Sequence, residues 1–285
     1  FDLMGMARGE IAPAAGISKV RIEDAWIHAV RDPQGDLNVR DLVPEPEGPP
    51  PPPEERFQGV ITVIDTTVIY DDYALDTAAG RPLNVELSRL NAEIDMREVG
   101  WAAVDLSAYE RLGRFGRLAV DGQIETETGF AWANARIGSI DAAYWFDMFV
   151  ETDDLAVQRG SVDVSATFGL MPRETGEPET TLAADARIRN AALTLASLGG
   201  RQIIADASVT GTMDGAQIHS LDARMGGTVI EATGFVGDWD EVVLDLDFDG
   251  RLTRPMELLD LASDLDEQTR AQIEAASILG PLLLS

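Results

Sequence analysis

The chain has 285 residues, 45% of them hydrophobic, with 50 acidic against 22 basic side chains and a formal charge of −28. That apolar content supports a substantial folded core and excludes a disordered chain. The acidity argues against nucleic acid, whose binders present basic patches, and against an anionic membrane surface as the direct docking partner.

The first expected unit covers residues 17–43. Val20 and Ile22 alternate, Trp26, His28 and Val30 keep the same parity, and Asp32-Pro33-Gln34-Gly35 reads as a turn before Leu37, Asn38, Val39 and Leu42. Pro44-Glu45-Pro46-Glu47-Gly48 and five prolines, Pro49 to Pro53, follow. A run lacking so many amide donors cannot join a sheet interior and reads as a stiff extended loop.

Residues 59–70 are strand-like, with Ile61 and Val63 on one parity and Val60, Ile64, Val68 and Tyr70 on the other. Leu83, Val85 and Leu87 alternate, but Leu90, Ala92, Ile94 and Met96 take the opposite phase, which predicts a β-bulge near Ser88-Arg89. Further strands are expected over 118–124, 162–170, 182–188, 203–213, 221–225, 228–236 and 242–252. The last has Val242, Leu244, Leu246, Phe248 and Leu252 on one face, with Asp245, Asp247 and Asp249 on the other.

Helices are few. Asp141 can cap one carrying Ala142, Tyr144, Trp145, Phe146 and Phe149. Others are expected from Pro255 through Met256, Leu258, Leu259 and Leu261, and over 265–279. The chain therefore reads as mainly β, with N-terminal strands and a Pro-rich loop in 1–56. A first unit over 57–150 ends in the aromatic helix, and a second over 151–285 ends in helices, all in one continuous body.

No cysteine is present, which removes disulfides and thiolate metal sites. Residues 1–16 lack the basic start and apolar run of a signal peptide, and no stretch approaches the roughly 18 apolar residues of a membrane span. The sequence starts without Met and stops at Leu282-Leu283-Leu284-Ser285, which reads as excision from a longer polypeptide.

The candidate chemistry is sparse. Asp245-Leu-Asp247-Phe-Asp249-Gly250 opens like a calcium loop, yet Met256 stands where a bidentate Glu is needed, and a strand with a solvated acidic face explains the run better. His28 and His219 lack a Ser or Cys motif. Paired acids such as Asp71-Asp72 and Asp153-Asp154 are expected by chance in so acidic a chain. Turns account for Gly113–Gly116 and Gly234–Gly237. No catalytic residue, metal site or cofactor is assigned, and the chain is read as a non-enzyme.

Residues Val20-Arg-Ile-Glu-Asp-Ala-Trp-Ile-His-Ala-Val-Arg31-Asp32-Pro-Gln-Gly35-Asp-Leu37-Asn38-Val39-Arg-Asp-Leu42 resemble the early segment of AsmA-like and TamB-like proteins. There an alternating strand leads to an Arg-Asp-x-x-Gly turn and an apolar-Asn-apolar run. Gly59-Val-Ile-Thr-Val-Ile-Asp-Thr-Thr-Val-Ile-Tyr70-Asp71-Asp72 is similar to the next pair, which often ends in Tyr-Asp or Phe-Asp. The phrase from Val209-Thr-Gly211 through Leu221-Asp-Ala223-Arg-Met-Gly226-Gly227 to Gly234, with Pro255-Met-Glu-Leu258-Leu259-Asp-Leu261, is similar to the repeated strand phrase and its closing helix.

The resemblance implies a long, twisted antiparallel sheet curled into an elongated groove, or half-pipe, in the periplasm. It implies phospholipid transport to the outer membrane and, in the TamB branch, assembly of outer-membrane or secreted proteins. The expected partners are phospholipid acyl chains, flanking repeats of the same polypeptide and outer-membrane assembly proteins. An inner-membrane anchor is expected outside this segment.

Under this reading Val162, Val164, Phe168, Val242, Leu244, Leu246 and Phe248 line the groove. Tyr144, Trp145 and Phe149 form an end plug or gate. Two other classes compete. One-sided strands serve equally well in a β-sandwich adhesion or scaffold module, and the many acids leave a carbohydrate hydrolase as a remote third reading.

Overall fold

A computed structural model describes residues 17–38, 56–173, 178–196, 199–237, 243–252 and 282–284. The predicted helices after residue 254, the proline run and Val242 lie outside the described residues.

The period-2 alternation becomes strand over most of the chain. In order these are β1 (Lys19–Glu23), β2 (Trp26–Arg31), β3 (Val60–Asp72), β4 (Leu83–Asp95), β5 (Trp101–Glu110), β6 (Arg117–Glu125) and β7 (Ala131–Asp141). Helix α1 (Ala142–Phe149) follows, then β8 (Leu155–Met171), β9 (Glu179–Leu195), β10 (Arg201–Thr212), β11 (Gly215–Met225), β12 (Thr228–Gly237), β13 (Val243–Leu252) and β14 (Leu282–Leu284). They form one 14-stranded sheet ordered β1-β3-β4 and so on to β14, with β2 also on β3. β1 and β2 run parallel to β3, whereas β3 to β7 and β9 to β14 pair as antiparallel neighbours. Among the described residues no pairing returns β14 to β1 or β2, so the sheet is not closed into a barrel. The expected class, mainly β with a long antiparallel sheet and few helices, is the class found.

Two compact units divide the chain: Phe1–Gly138 with Ser165–Leu182, and Ser139–Val164 with Ala183–Ser285. β7, β8 and β9 each give one end to each unit, so the boundary drawn from sequence near residue 150 falls inside the second.

In the first unit, register decides which side chains share a face. Ile61 and Val63 lie opposite Ile94 and Ala92. These continue to Val104 and Leu106, then Gly122 and Val120, then Ala133 and Ala135. Ala108, Leu118 and Ile137 form a parallel row. Glu93, Asp105, Asp121 and Asn134 form a row on the reverse face.

The phase switch in β4 has the predicted cause. Register shifts between Ser88 and Asn91, and Arg89 takes φ 50°. Because β5 is regular, its Glu110 and Leu106, partners of Leu87 and Ala92, point the same way, so the extra residue keeps Leu83-Val85-Leu87 and Leu90-Ala92-Ile94 on one face. The same device recurs at Asp65 in β3 (φ 49°), Ser139 in β7 (φ 55°) and Asn190 in β9 (φ 49°). Each leaves a surplus amide, and a neighbouring strand satisfies it. Asp65 donates to Asn91 Oδ1 (3.3 Å), Ser139 to Asp163 Oδ1 (2.9 Å) and Asn190 to Asp206 Oδ1 (2.8 Å).

A similar break at Asp24 corrects the parity read for the first strands. Val20 and Ile22 pair with Ile61 and Val63, but beyond the break Ile27 and Ala29 take that face opposite Val68 and Tyr70. Trp26 and His28 therefore point to the polar side.

In the second unit β10 is the regular reference. Its Ile203, Ala205, Ala207, Val209 and Gly211 pair with Leu193, Ala191, Ile188, Ala186 and Ala184 of β9. On its other side the last four pair with Ala223, Leu221, Ile218 and Ala216 of β11, and these with Ile230, Ala232, Gly234 and Val236 of β12. The reverse face carries Asp206, Asp222 and Glu231 directly opposite one another.

Asp141 caps α1 as expected, its Oδ1 accepting from the amides of Ala143 (3.0 Å) and Tyr144 (3.3 Å). The helix starts hard against the sheet. A Cβ on Gly160 would stand 3.1 Å from Ala142 Cβ and 3.0 Å from Ala191 Cα. The missing side chain at Gly160 thus lets the start of α1 approach β8, and Met148 is fully buried. Gly160→Leu should lift the helix, costing about 1–3 kcal/mol with a red shift of Trp fluorescence; an unchanged urea midpoint and spectrum would refute this placement.

Candidate functional site: the apolar sheet face

An alternating strand buries its apolar side only if something lies on it. Among the described residues the buried hydrophobic side chains are mostly small, Ala102, Ala108, Ala191, Ala192, Ala205 and Ala216, joined by Leu90, Phe115, Met148 and Met225. Larger members of the apolar face stay half-buried or exposed: Ile124 is 44% exposed, Phe168 and Ile230 40% each. Apolar surface thus stays accessible on strands of both units.

The predicted lining residues can now be placed. Asp163 binds Arg189 at 2.5 Å on the polar side, so its neighbours Val162 and Val164 project from the apolar side, half-buried. Thr167 donates to Asn134 Oδ1 (3.0 Å) on the polar face, which puts Phe168 on the apolar face. Leu244, Leu246 and Phe248 hold register opposite Val236, Gly234 and Ala232. Val242 is outside the described residues.

Tyr144, Trp145 and Phe149 do come together. Trp145 and Phe149 stack with centroids 5.6 Å apart, and Tyr144 meets Trp145 edge-on at 5.5 Å. The cluster lies on the helix whose first residue, Ala142, comes up against Gly160, and its Phe149 is 46% exposed.

Sequence reading missed β5 and β7, which supply Ala102, Val104, Leu106, Ala108 and Ala131, Ala133, Ala135, Ile137. Alanine has weak strand preference, so its alternation with Asp, Ser, Trp, Asn and Arg carries little signal. That alternation was nevertheless the available clue.

Both histidines are hydrogen-bonded to a side chain of a neighbouring strand. His28 Nε2 lies 2.7 Å from Asp71 Oδ2, so it must donate. His219 Nε2 lies 2.7 Å from Thr210 Oγ1, which is also 3.0 Å from Asp185 Oδ1. The Asp245–Asp249 run lies on a strand, β13, as expected.

The residues that carry the family resemblance build a polar corner at the sheet edge. Asp32 Oδ1 accepts from the amides of Gln34 and Asp36, both at 2.9 Å, which folds the Arg-Asp-x-x-Gly turn. Asn38 then acts as a strand in miniature, accepting from Val30 N–H (2.8 Å) and donating to His28 C=O (3.0 Å) along the open edge of β2. Buried Asp72 accepts from Tyr70 Oη (2.7 Å), from the amides of Ala74 and Leu75 (3.0 Å each) and from Arg31 Nη1 (3.4 Å).

Burial pushes the Asp72 carboxyl up, but Tyr70, the two amides and Arg31 together hold it below its ordinary value. Asp71 is likewise lowered, its desolvation outweighed by hydrogen bonds from Asn84 and His28. Exposed Asp95 is drawn to about 2 by the Arg97 side chain and amide. Carboxyls depressed by folding stabilise above their unfolded pKa of about 3.9 and lose that contribution as pH falls through the lower folded value. Stability should therefore begin to fall below about pH 4, this corner included. Hydrogen exchange of β2 and β3 amides at pH 5 and pH 3 checks it, and equal protection at both would refute it.

Comparison with protein-family models, with curated proteins and with solved structures finds no match to this chain.

Proposed function

We propose that the chain is a segment of a bacterial envelope protein of the AsmA-like and TamB-like kind. Its apolar sheet face, curled into a groove, shields lipid acyl chains during phospholipid transport between the inner and outer membranes. A supporting part in outer-membrane protein assembly or secretion belongs to the same reading. So do a periplasmic location, flanking repeats and an inner-membrane anchor elsewhere in the polypeptide.

The observation that carries the reading is the unbroken row of Ala, Val, Leu, Ile and Gly across β3–β7 and again across β9–β12. Acyl chains need no directional partner, and each CH₂ removed from water contributes about 0.8 kcal/mol. The carboxylate-bearing reverse face keeps the sheet in solution. Helix α1 serves as the plug that closes one patch of the face.

Purified protein should release phospholipid on solvent extraction and protect a fluorescent lipid from an aqueous quencher. Absence of both would overturn the proposal. A β-sandwich module would need a second sheet across the same face. Among the described residues every strand of each unit belongs to the one sheet, which favours acyl chains as the occupant.

A further inference from the structure

We infer that this face selects lipids with zwitterionic or uncharged headgroups and discriminates against anionic ones; the inference rests on the acyl-chain reading above. The apolar rows of β4–β7 and β9–β12 offer a headgroup no hydrogen-bonding side chain of their own. What distinguishes one headgroup from another there is the surrounding field.

That field is negative. On the reverse face Asp206, Asp222 and Glu231 hold directly opposed register positions on three adjacent strands, β10 to β12. Glu93, Asp105 and Asp121 do the same on β4, β5 and β6. Five arginines are already engaged by other carboxylates: Arg21 with Glu23, Arg31 with Asp72, Arg97 with Asp95, Arg111 with Glu86 and Arg189 with Asp163. The chain as a whole carries −28. Such a field reaches about 30 Å at 0.01 M salt and about 3 Å at 1 M, so the discrimination should be a low-salt property.

The test uses the full chain and two fluorescent lipids of identical acyl chains, phosphatidylcholine and phosphatidylglycerol. Binding is read by quencher protection at 10 mM and 1 M NaCl. Phosphatidylcholine should be captured about threefold or more better at low salt, and the ratio should approach one at high salt. The triple variant Asp206→Asn, Asp222→Asn, Glu231→Gln, which keeps the Oδ1 acceptor for the Asn190 amide, should narrow the low-salt ratio. Equal capture at low salt, or a preference for phosphatidylglycerol, overturns the inference and leaves the acyl-chain reading standing. Capture of neither lipid by a folded protein overturns both.

Discussion

Asp72→Ala should destabilise the protein by about 3 kcal/mol, the largest single-residue effect expected outside the apolar rows. The carboxylate is buried, with its residue only 4% exposed, and it serves four donors at once. Removing it strands the Tyr70 hydroxyl and two backbone amides at the start of the β3–β4 connection, and leaves Arg31 without its partner. Asp72→Asn keeps an acceptor for the amides but gives up the charge, so its cost should be about 1 kcal/mol. Urea unfolding followed by circular dichroism measures both. Equal midpoints for wild type and Asp72→Ala would mean that the corner is ornamental to folding.

The second large effect is on the proposed activity. Leu106 and Val120 face each other in the middle of the first unit's apolar rows. Leu106→Asp should cut captured lipid more than about tenfold, because a carboxylate among acyl chains must stay hydrated or take up a proton. Asp105→Asn, next along β5 but on the reverse face, should leave capture near wild type. The same pair separates the competing readings of the face. If another sheet seals it, Leu106→Asp unfolds the protein. If it is open to acyl chains, the variant stays folded and loses lipid. A folded Leu106→Asp that binds lipid normally would remove the face from the mechanism.

These two predictions fall on residues that the sequence revealed to different degrees. Tyr70-Asp71-Asp72 stood out as the end of a family-like phrase, yet nothing in its composition said that Asp72 folds the following turn. That role depends on Arg31, which lies 41 positions away and reaches it only because β2 runs parallel to β3. Asn38 was visible between apolar neighbours, but its use as a surrogate strand needed the open edge of β2. Leu106 was missed outright. It sits on an alanine-rich strand whose apolar positions scarcely differ from loop composition, and only pairing with β4 and β6 gives it a face.

The bulges show the division most clearly. The phase switch across Ser88-Arg89 could be read directly, because strong aliphatics flank it on both sides. The bulge at Asn190 could not, since Ala183, Ala184, Ala186, Ala191 and Ala192 blur the phase there. In both cases the surplus residue has positive φ and restores one apolar face.

By itself, then, the sequence determined the class. Period-2 alternation admits little but strands, and an apolar row opposed by carboxylates makes each strand one-sided. Tertiary structure decided which rows add together, because a one-residue slip moves a whole strand to the other face and only inter-strand register excludes it. It also decided that large aliphatics on the shared face stay part-exposed, while mainly alanines and Met148 of α1 are covered. Alternation specifies that a side is apolar; whether anything lies on that side depends on contacts far apart in the chain.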